Sequence, residues 1–133
     1  MSEETSRKLA YDPEDLERLL VSRQHAGDVD GMAALYESHA LLDAGGGRLL
    51  HGREAIRKFY AEAVRAGQKF HIGRQRAALV CGDLALTSTL LPDGTVTAEI
   101  ARRQIDGTWL WAIDQFSIAS DDPFPPLHGY SGL

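Results

Sequence analysis

Hydrophobic positions change period once along this chain. Over residues 12–66 they recur at helical spacing, and from residue 69 onward they form long stretches interrupted by Gly-containing turns. A first helix is predicted to open at Asp12-Pro13, a capping residue followed by a proline suited to the first turn. It presents Leu16, Leu19, Leu20 and Arg23 on one face and stops at Gly27. Asp28 caps a short second helix whose Val29, Met32, Ala33 and Tyr36 keep the i, i+3, i+4, i+7 spacing. Residues 40–43 and 48–50 read as two short strands turned by Gly45-Gly46-Gly47. A third helix over 53–66 buries Ile56, Phe59, Tyr60, Ala63 and Val64, with Gly67 as its stop. Four strands follow, over 69–81, 84–91, 95–105 and 108–119, joined at Gly82-Asp83, Asp93-Gly94 and Asp106-Gly107. Helices first and long strands last predict an α+β fold, with helices packed on one face of a curved antiparallel sheet. The polar segment 1–11 and the Pro/Gly-rich segment 121–133 read as tails, which leaves 12–120 as the domain.

A length of 133 residues suits one domain, and 44% apolar with 25% charged residues is a globular composition. The formal net charge is −5 and the arginines are scattered, so nucleic acid is not an expected partner. No apolar run approaches the roughly 20 residues of a membrane helix, which excludes a spanning segment of that kind. Cys81 is the single cysteine and suits a reducing cytoplasm; beside Val80 it reads as a packing residue.

Chemistry enters through the strand registers. If each of the last three connections is a two-residue turn, one sheet face carries Gln75, Ala77, Leu79, Leu86, Ser88, Leu90, Glu99, Ala101, Arg103, Leu110, Ala112, Asp114 and Phe116. That face is mostly apolar and is predicted to face the helices. The opposite face carries arginines, threonines and the corner Trp109, Trp111 and Ile113, an exposed apolar patch that predicts a homodimer through the sheet. On the inner face Ser88 falls opposite Glu99, and Glu99 opposite Asp114. Two carboxyls about 5 Å apart at Cβ in a low-dielectric site cannot easily both ionise, so one pKa rises. Such an arrangement suits proton transfer. A three-residue loop at Pro92-Asp93-Gly94, or a one-residue bulge, would instead turn Glu99 to solvent. Asp114 interrupts a run otherwise fit for burial on both sides, and a buried aspartate needs a partner.

His71 lies on the inner parity at the start of its strand, at the expected cavity mouth, where it can act as acid, base or donor; a rim histidine without a role is the alternative. Arg103, two pairs from Glu99, is a candidate anion partner. Tyr36 and Tyr60 lie on helical apolar stripes and read as core residues with hydroxyls at an edge, within reach of a ligand. The five histidines show no metal spacing, so no metal is expected. Gly45-Gly46-Gly47 lacks the rest of a phosphate loop, and Gly129-Tyr130-Ser131-Gly132-Leu133 lacks the final glycine and helix of a nucleophile elbow.

Over residues 13–120 the chain resembles the NTF2-like superfamily, a cone of curved sheet closed by three helices. The resemblance rests on Ala26-Gly27-Asp28-Val29-Asp30-Gly31 between the first helices and on Gly52-Arg53-Glu54-Ala55-Ile56-Arg57-Lys58-Phe59-Tyr60 opening the third. Gly82-Asp83-Leu84-Ala85, the stretch from Arg102-Arg103-Gln104 to Gly107-Thr108-Trp109, and Ile113-Asp114 are similar to the SnoaL-like and DUF4440 groups. The superfamily hosts isomerases, dehydratases, cyclases, epoxide hydrolases and members without known chemistry, so the likeness implies the fold more narrowly than the reaction. Ketosteroid isomerases share this layout, but their general-base aspartate falls at Ala44, their donor tyrosine at Leu20 and their donor aspartate at Ala101. That apparatus is missing. The same alignment turns Glu99, Arg103 and Asp114 toward the family's cavity, and a carboxylate on the last strand resembles the acid/base aspartate of SnoaL-type polyketide cyclases.

The expected function is a cofactor-independent acid/base enzyme, of isomerase, cyclase or dehydratase type, acting on a small hydrophobic carbonyl compound. Asp114 is expected to move the proton, Glu99 to tune it and His71 to assist. Ser88, Arg103, Tyr60, Phe116, Leu86, Leu90, Ala101, Ala112 and Phe59 are expected to line the substrate site. The alternatives are a non-catalytic carrier of a small hydrophobic metabolite and a dimerisation module whose cavity is filled by side chains.

Overall fold

The computed structural model describes residues 7–119; the segments 1–6 and 120–133, with the Pro/Gly-rich tail, lie outside the described residues. Helix α1 spans Asp15–His25, later than predicted. Asp12-Pro13 forms the turn before it, in which the Asp15 N–H donates to the Asp12 carbonyl (3.0 Å) and the Asp12 N–H to the Asp15 carboxylate (3.1 Å). Helix α2 is only Val29–Ala33, capped by Asp28, whose carboxylate accepts from the Gly31 N–H. Tyr36 does not extend it. Strand β1 runs Tyr36–Asp43, because the Trp111 N–H takes the Leu35 carbonyl (2.8 Å) and draws this segment onto the sheet. Strand β2 (Leu49–His51) pairs back on β1, and helix α3 (Arg53–Arg65) follows.

The remaining strands are β3 (Arg74–Gln75), β4 (Leu79–Cys81), β5 (Leu84–Thr87), β6 (Thr89–Leu90), β7 (Val96–Arg103) and β8 (Trp109–Ala119). The sheet order is β2-β1-β8-β7-β5-β4, with β6 joining β3 to β7. The last four predicted strands do form an antiparallel meander, broken into shorter pieces. The sheet as a whole is mixed, however, because β1 lies parallel to β8. A parallel partner contributed from before α3 leaves no hairpin signal in the sequence.

Registers decide which residues face the helices. The Gly82-Asp83 turn has the predicted two residues, so Leu79 faces Leu86. The next connection is the three-residue loop Pro92-Asp93-Gly94, closed by Leu91 N–H to Thr95 carbonyl (2.8 Å), with Gly94 at φ 91°. Thr87, not Ser88, therefore pairs with Glu99. That one-residue shift exchanges the faces of β5 and β6: Ala85, Thr87 and Thr89 are buried, while Leu86 and Leu90 are exposed. The third connection also has three loop residues, Ile105-Asp106-Gly107, and by itself would separate Glu99 from Asp114. A bulge at Ala112 restores the register, so Glu99 pairs with Asp114 as predicted.

The same bulge turns the tryptophans inward. Trp109 and Trp111 are 5% and 1% exposed, which overturns their expected place on the outer face; only Ile113 of that corner is exposed. Trp111 packs on Tyr36 at 5.1 Å between ring centroids. With Leu16, Met32, Leu42, Ile56 and Tyr60 they form the core between sheet and helices. Cys81, expected to pack, is exposed at the end of β4. No helix among the described residues is long and apolar enough to cross a membrane.

Candidate functional site

Toward the end of the sheet where β7 starts, α1, β7, β8, the 68–71 segment and the 91–95 loop enclose a cavity of about 380 Å³. Leu20, Phe70, Leu91, Pro92 and Phe116 supply apolar wall, and Glu17, Glu99 and Asp114 supply three carboxyls. Lys69, His71 and Asp93 add further charged or titratable groups to the lining. A void beside Asp114 removes the reading in which side chains fill the interior.

Asp114 is 3% exposed and is held from β1. The Tyr36 hydroxyl donates to its Oδ2 at 2.6 Å and also lies 2.6 Å from the Tyr60 hydroxyl. A phenol has one proton to give. With Tyr36 donating to Asp114, Tyr60 is the donor to Tyr36, and the chain runs Tyr60 to Tyr36 to Asp114. Burial pushes the Asp114 carboxyl well above the usual carboxylate range, and the nearby charge of Glu99 pushes it further. Burial also pushes both tyrosine hydroxyls well above their ordinary range. Both phenols therefore stay protonated at neutral pH.

Glu99 is likewise 3% exposed, with Oε1 accepting from the Thr87 hydroxyl at 2.6 Å. Its pKa is raised by burial, while the Thr87 hydrogen bond holds it partly down. Glu17, on α1, is the residue sequence reasoning missed. Burial, with Glu99 close by, pushes its carboxyl up to about 7. A signal was available: Pro13, Glu17, Leu20 and Gln24 follow the spacing i, i+4, i+7, i+11, a second stripe beside the one first singled out. Three acids around one small cavity cannot all be charged at once, so protons bind to them as a coupled group. Among the described residues, no group of three or more His, Cys, Asp or Glu is arranged to hold a metal ion.

The other predicted site residues divide. His71 is exposed at the cavity and Phe116 lines it, with Phe59 packed on Phe116 at 5.7 Å. Tyr60 is fully buried behind the wall and reaches the site through Tyr36. Ala101 lies wholly in the core, and Ala112 is the bulged residue without a cross-strand partner. Neither alanine lines the cavity, and four further expectations fail. Arg103 is exposed and paired with Asp83 at 2.6 Å, because it stands at the end of β7 opposite Trp109, beyond Ala101 and away from the cavity. Leu86 and Leu90 project from the outer face after the one-residue shift at Pro92-Asp93-Gly94. Ser88 shifts with them and donates to the Thr97 carbonyl at 2.7 Å, lining a different groove.

The family model for the SnoaL-like domain matches residues 16–121. No curated protein matches the chain. Among solved structures, a cystatin-like-fold domain of unknown function from Nostoc punctiforme is similar with TM-score 0.66 at 18% identity, covering 80% of this chain and 74% of that one. An NTF2-like protein from Novosphingobium aromaticivorans gives 0.59 at 16% identity, over 81% and 80%. A candidate dehydratase of the NTF2-like family from Streptomyces avermitilis gives 0.61 at 17% identity, over 80% and 94%. At such identities the likeness concerns the fold.

Proposed function

Because this chain belongs to the SnoaL-like domain family, whose fold is a frame for several chemistries, we propose that it is a cofactor-independent acid/base enzyme. Its substrate is a small, mainly apolar carbonyl compound bound in the 380 Å³ cavity, and its reaction is of the isomerase, cyclase or dehydratase type. One observation carries this reading: Asp114 and Glu99 are paired across two strands in the cavity wall, with the first held by Tyr36.

The chemistry follows from protonation. Asp114, raised by burial and by Glu99, holds a proton far more readily than an ordinary aspartate, which suits it to act as hydrogen-bond donor and acid. A carbonyl oxygen set against it gains stabilisation as negative charge develops during enolisation, beside a carboxyl that is itself only 3% exposed. Glu99 tunes Asp114 by repulsion, and the Tyr60–Tyr36 chain fixes the Asp114 carboxyl in place. His71 assists proton movement at the cavity mouth.

The test uses 2-tetralone, a compact apolar ketone, in D2O, with loss of its α-proton signals followed by NMR. The wild type should accelerate exchange, and Asp114→Asn should lower that acceleration by about 100-fold, the low end of general acid/base effects. Saturation-transfer binding of 2-tetralone without accelerated exchange would overturn the enzyme reading in favour of a carrier.

We also propose a homodimer through the outer sheet face, with a different contact from the tryptophan corner. Leu79, Leu86, Ile100 and Ile113 are successive cross-strand partners and are between 36% and 69% exposed. Such a contiguous apolar row is what a second copy of the same sheet would cover.

A further inference from the structure

We propose that Glu17 on α1 is the proton acceptor of this cavity, taking a proton from the carbon beside a carbonyl whose oxygen rests on Asp114. The inference rests on the acid/base reading above and divides its labour between two acids on opposite walls.

The three carboxyls differ in what they already hold. Asp114 accepts from Tyr36 and Glu99 from Thr87, so both sheet acids are committed to partners. Among the described residues Glu17 has no hydrogen bond or ion pair, yet its side chain borders the cavity. It stands on the helix, whereas Asp114 and Glu99 stand on the sheet, so a ligand in the cavity lies between them. An acid backed by a fixed donor chain suits an oxygen that gains charge. An unpartnered carboxylate on the facing wall suits removal of a proton from carbon.

The surroundings set its strength. Glu99 and Asp114 face Glu17 from the sheet, Lys69 and His71 from the segment after α3, and Asp93 from the 91–95 loop. Burial raises Glu17 to about 7, with repulsion from Glu99 adding to it. A helix glutamate turned to water would stay near the ordinary carboxylate range and be a weak base. At its raised value Glu17 is about half ionised at neutral pH and is a far stronger base than an ordinary glutamate.

The step balances. The α-carbon gives its proton to the Glu17 carboxylate, the C–H electron pair becomes the enol double bond, and the carbonyl π pair moves to oxygen. That oxygen takes the Asp114 proton. Return of a deuteron to the same carbon, after the Glu17 proton has been replaced from D2O, gives exchange, and delivery to a conjugated carbon gives isomerisation. Delivery to a β-hydroxyl gives loss of water. Asp114 recovers its proton in each case.

The experiment measures 2-tetralone exchange in D2O across pD 5–9 for the wild type, Glu17→Gln, Glu17→Asp and Asp114→Asn, with amide spectra reporting the fold of each. In parallel, the Glu17 carboxyl carbon is titrated by NMR in the protein without ketone. The expected result is a wild-type rate rising with a midpoint near 7, matching the Glu17 titration. Glu17→Gln should lose about 100-fold or more, and Glu17→Asp should restore part of the rate with the rising limb kept. Wild-type exchange lost in Asp114→Asn but unchanged in a folded Glu17→Gln overturns the Glu17 assignment and leaves the acid/base reading standing. A Glu17 titration below pH 5 overturns the assignment as well. Absence of wild-type exchange overturns both.

Discussion

The Tyr36 hydroxyl has one proton, and Asp114 takes it. That bond ties the first residue of β1 to the last strand, and it explains why a tyrosine on an apparent helical stripe belongs to the site. Glu17 lines the same cavity from α1. Its carboxyl is raised from 4.5 to about 7, so the folded state prefers it protonated. The stability tied to that preference is fully present below pH 4.5 and is lost as pH rises to about 7. Glu17→Gln keeps the shape and removes the charge. At pH 8 the variant should be more stable than the wild type by about 2 kcal/mol, the full shift being discounted for partial exposure. At pH 4 the two should agree within a few tenths of a kcal/mol. Urea unfolding at both values checks this, and an equal difference at the two pH values contradicts it. The paired surface acid Asp28 runs the other way: Arg7 holds its pKa down, so its contribution is lost as pH falls.

Among the elements, the helices were the most legible. Stripes such as Ile56, Tyr60 and Ala63 depend on local spacing, and α3 begins at Arg53 as predicted and ends one residue short of the predicted 66. The strands were legible in existence and order, and their faces were not. A face is set by turn length and bulges, and one extra loop residue exchanges inside for outside. Ser88, Leu86 and Leu90 were misplaced for that reason. The Glu99–Asp114 pair was found although the turn before β8 was misjudged by one residue, because the bulge at Ala112 shifts the register back. The bulge serves two ends at once, aiming Trp109 and Trp111 into the core and Asp114 into the cavity. Deleting Ala112 should therefore turn both tryptophans outward or withdraw Asp114 from Glu99. Loss of cooperative thermal unfolding and of the near-ultraviolet circular dichroism of the tryptophans is expected; a deletion variant retaining both would show that the bulge is dispensable.

Over the whole molecule the sheet has two unlike faces. The inner one meets α1 and α3 and holds the core and the cavity, while the outer one presents Leu79, Leu86, Ile100 and Ile113 in a row. Leu86→Lys places a charge in the middle of that row, where covering it would cost far more than covering leucine. Sedimentation should show a dimer for the wild type and a monomer for Leu86→Lys, with unchanged circular dichroism. A wild type that sediments as a monomer at every concentration would remove the dimer.

By itself the sequence determined the α+β order, the helical stripes, the resemblance to a cone-shaped family and the neighbourhood of two acids on the last strands. These follow from spacing along the chain, which each segment carries alone. Long-range packing alone sets β1 parallel to β8, places Tyr36 and Tyr60 behind Asp114, brings Glu17 to the cavity from α1 and leaves Arg103 outside it. Each depends on which distant segment fills the space beside a residue. Periodicity gives an element its two faces, but packing decides which one is inside.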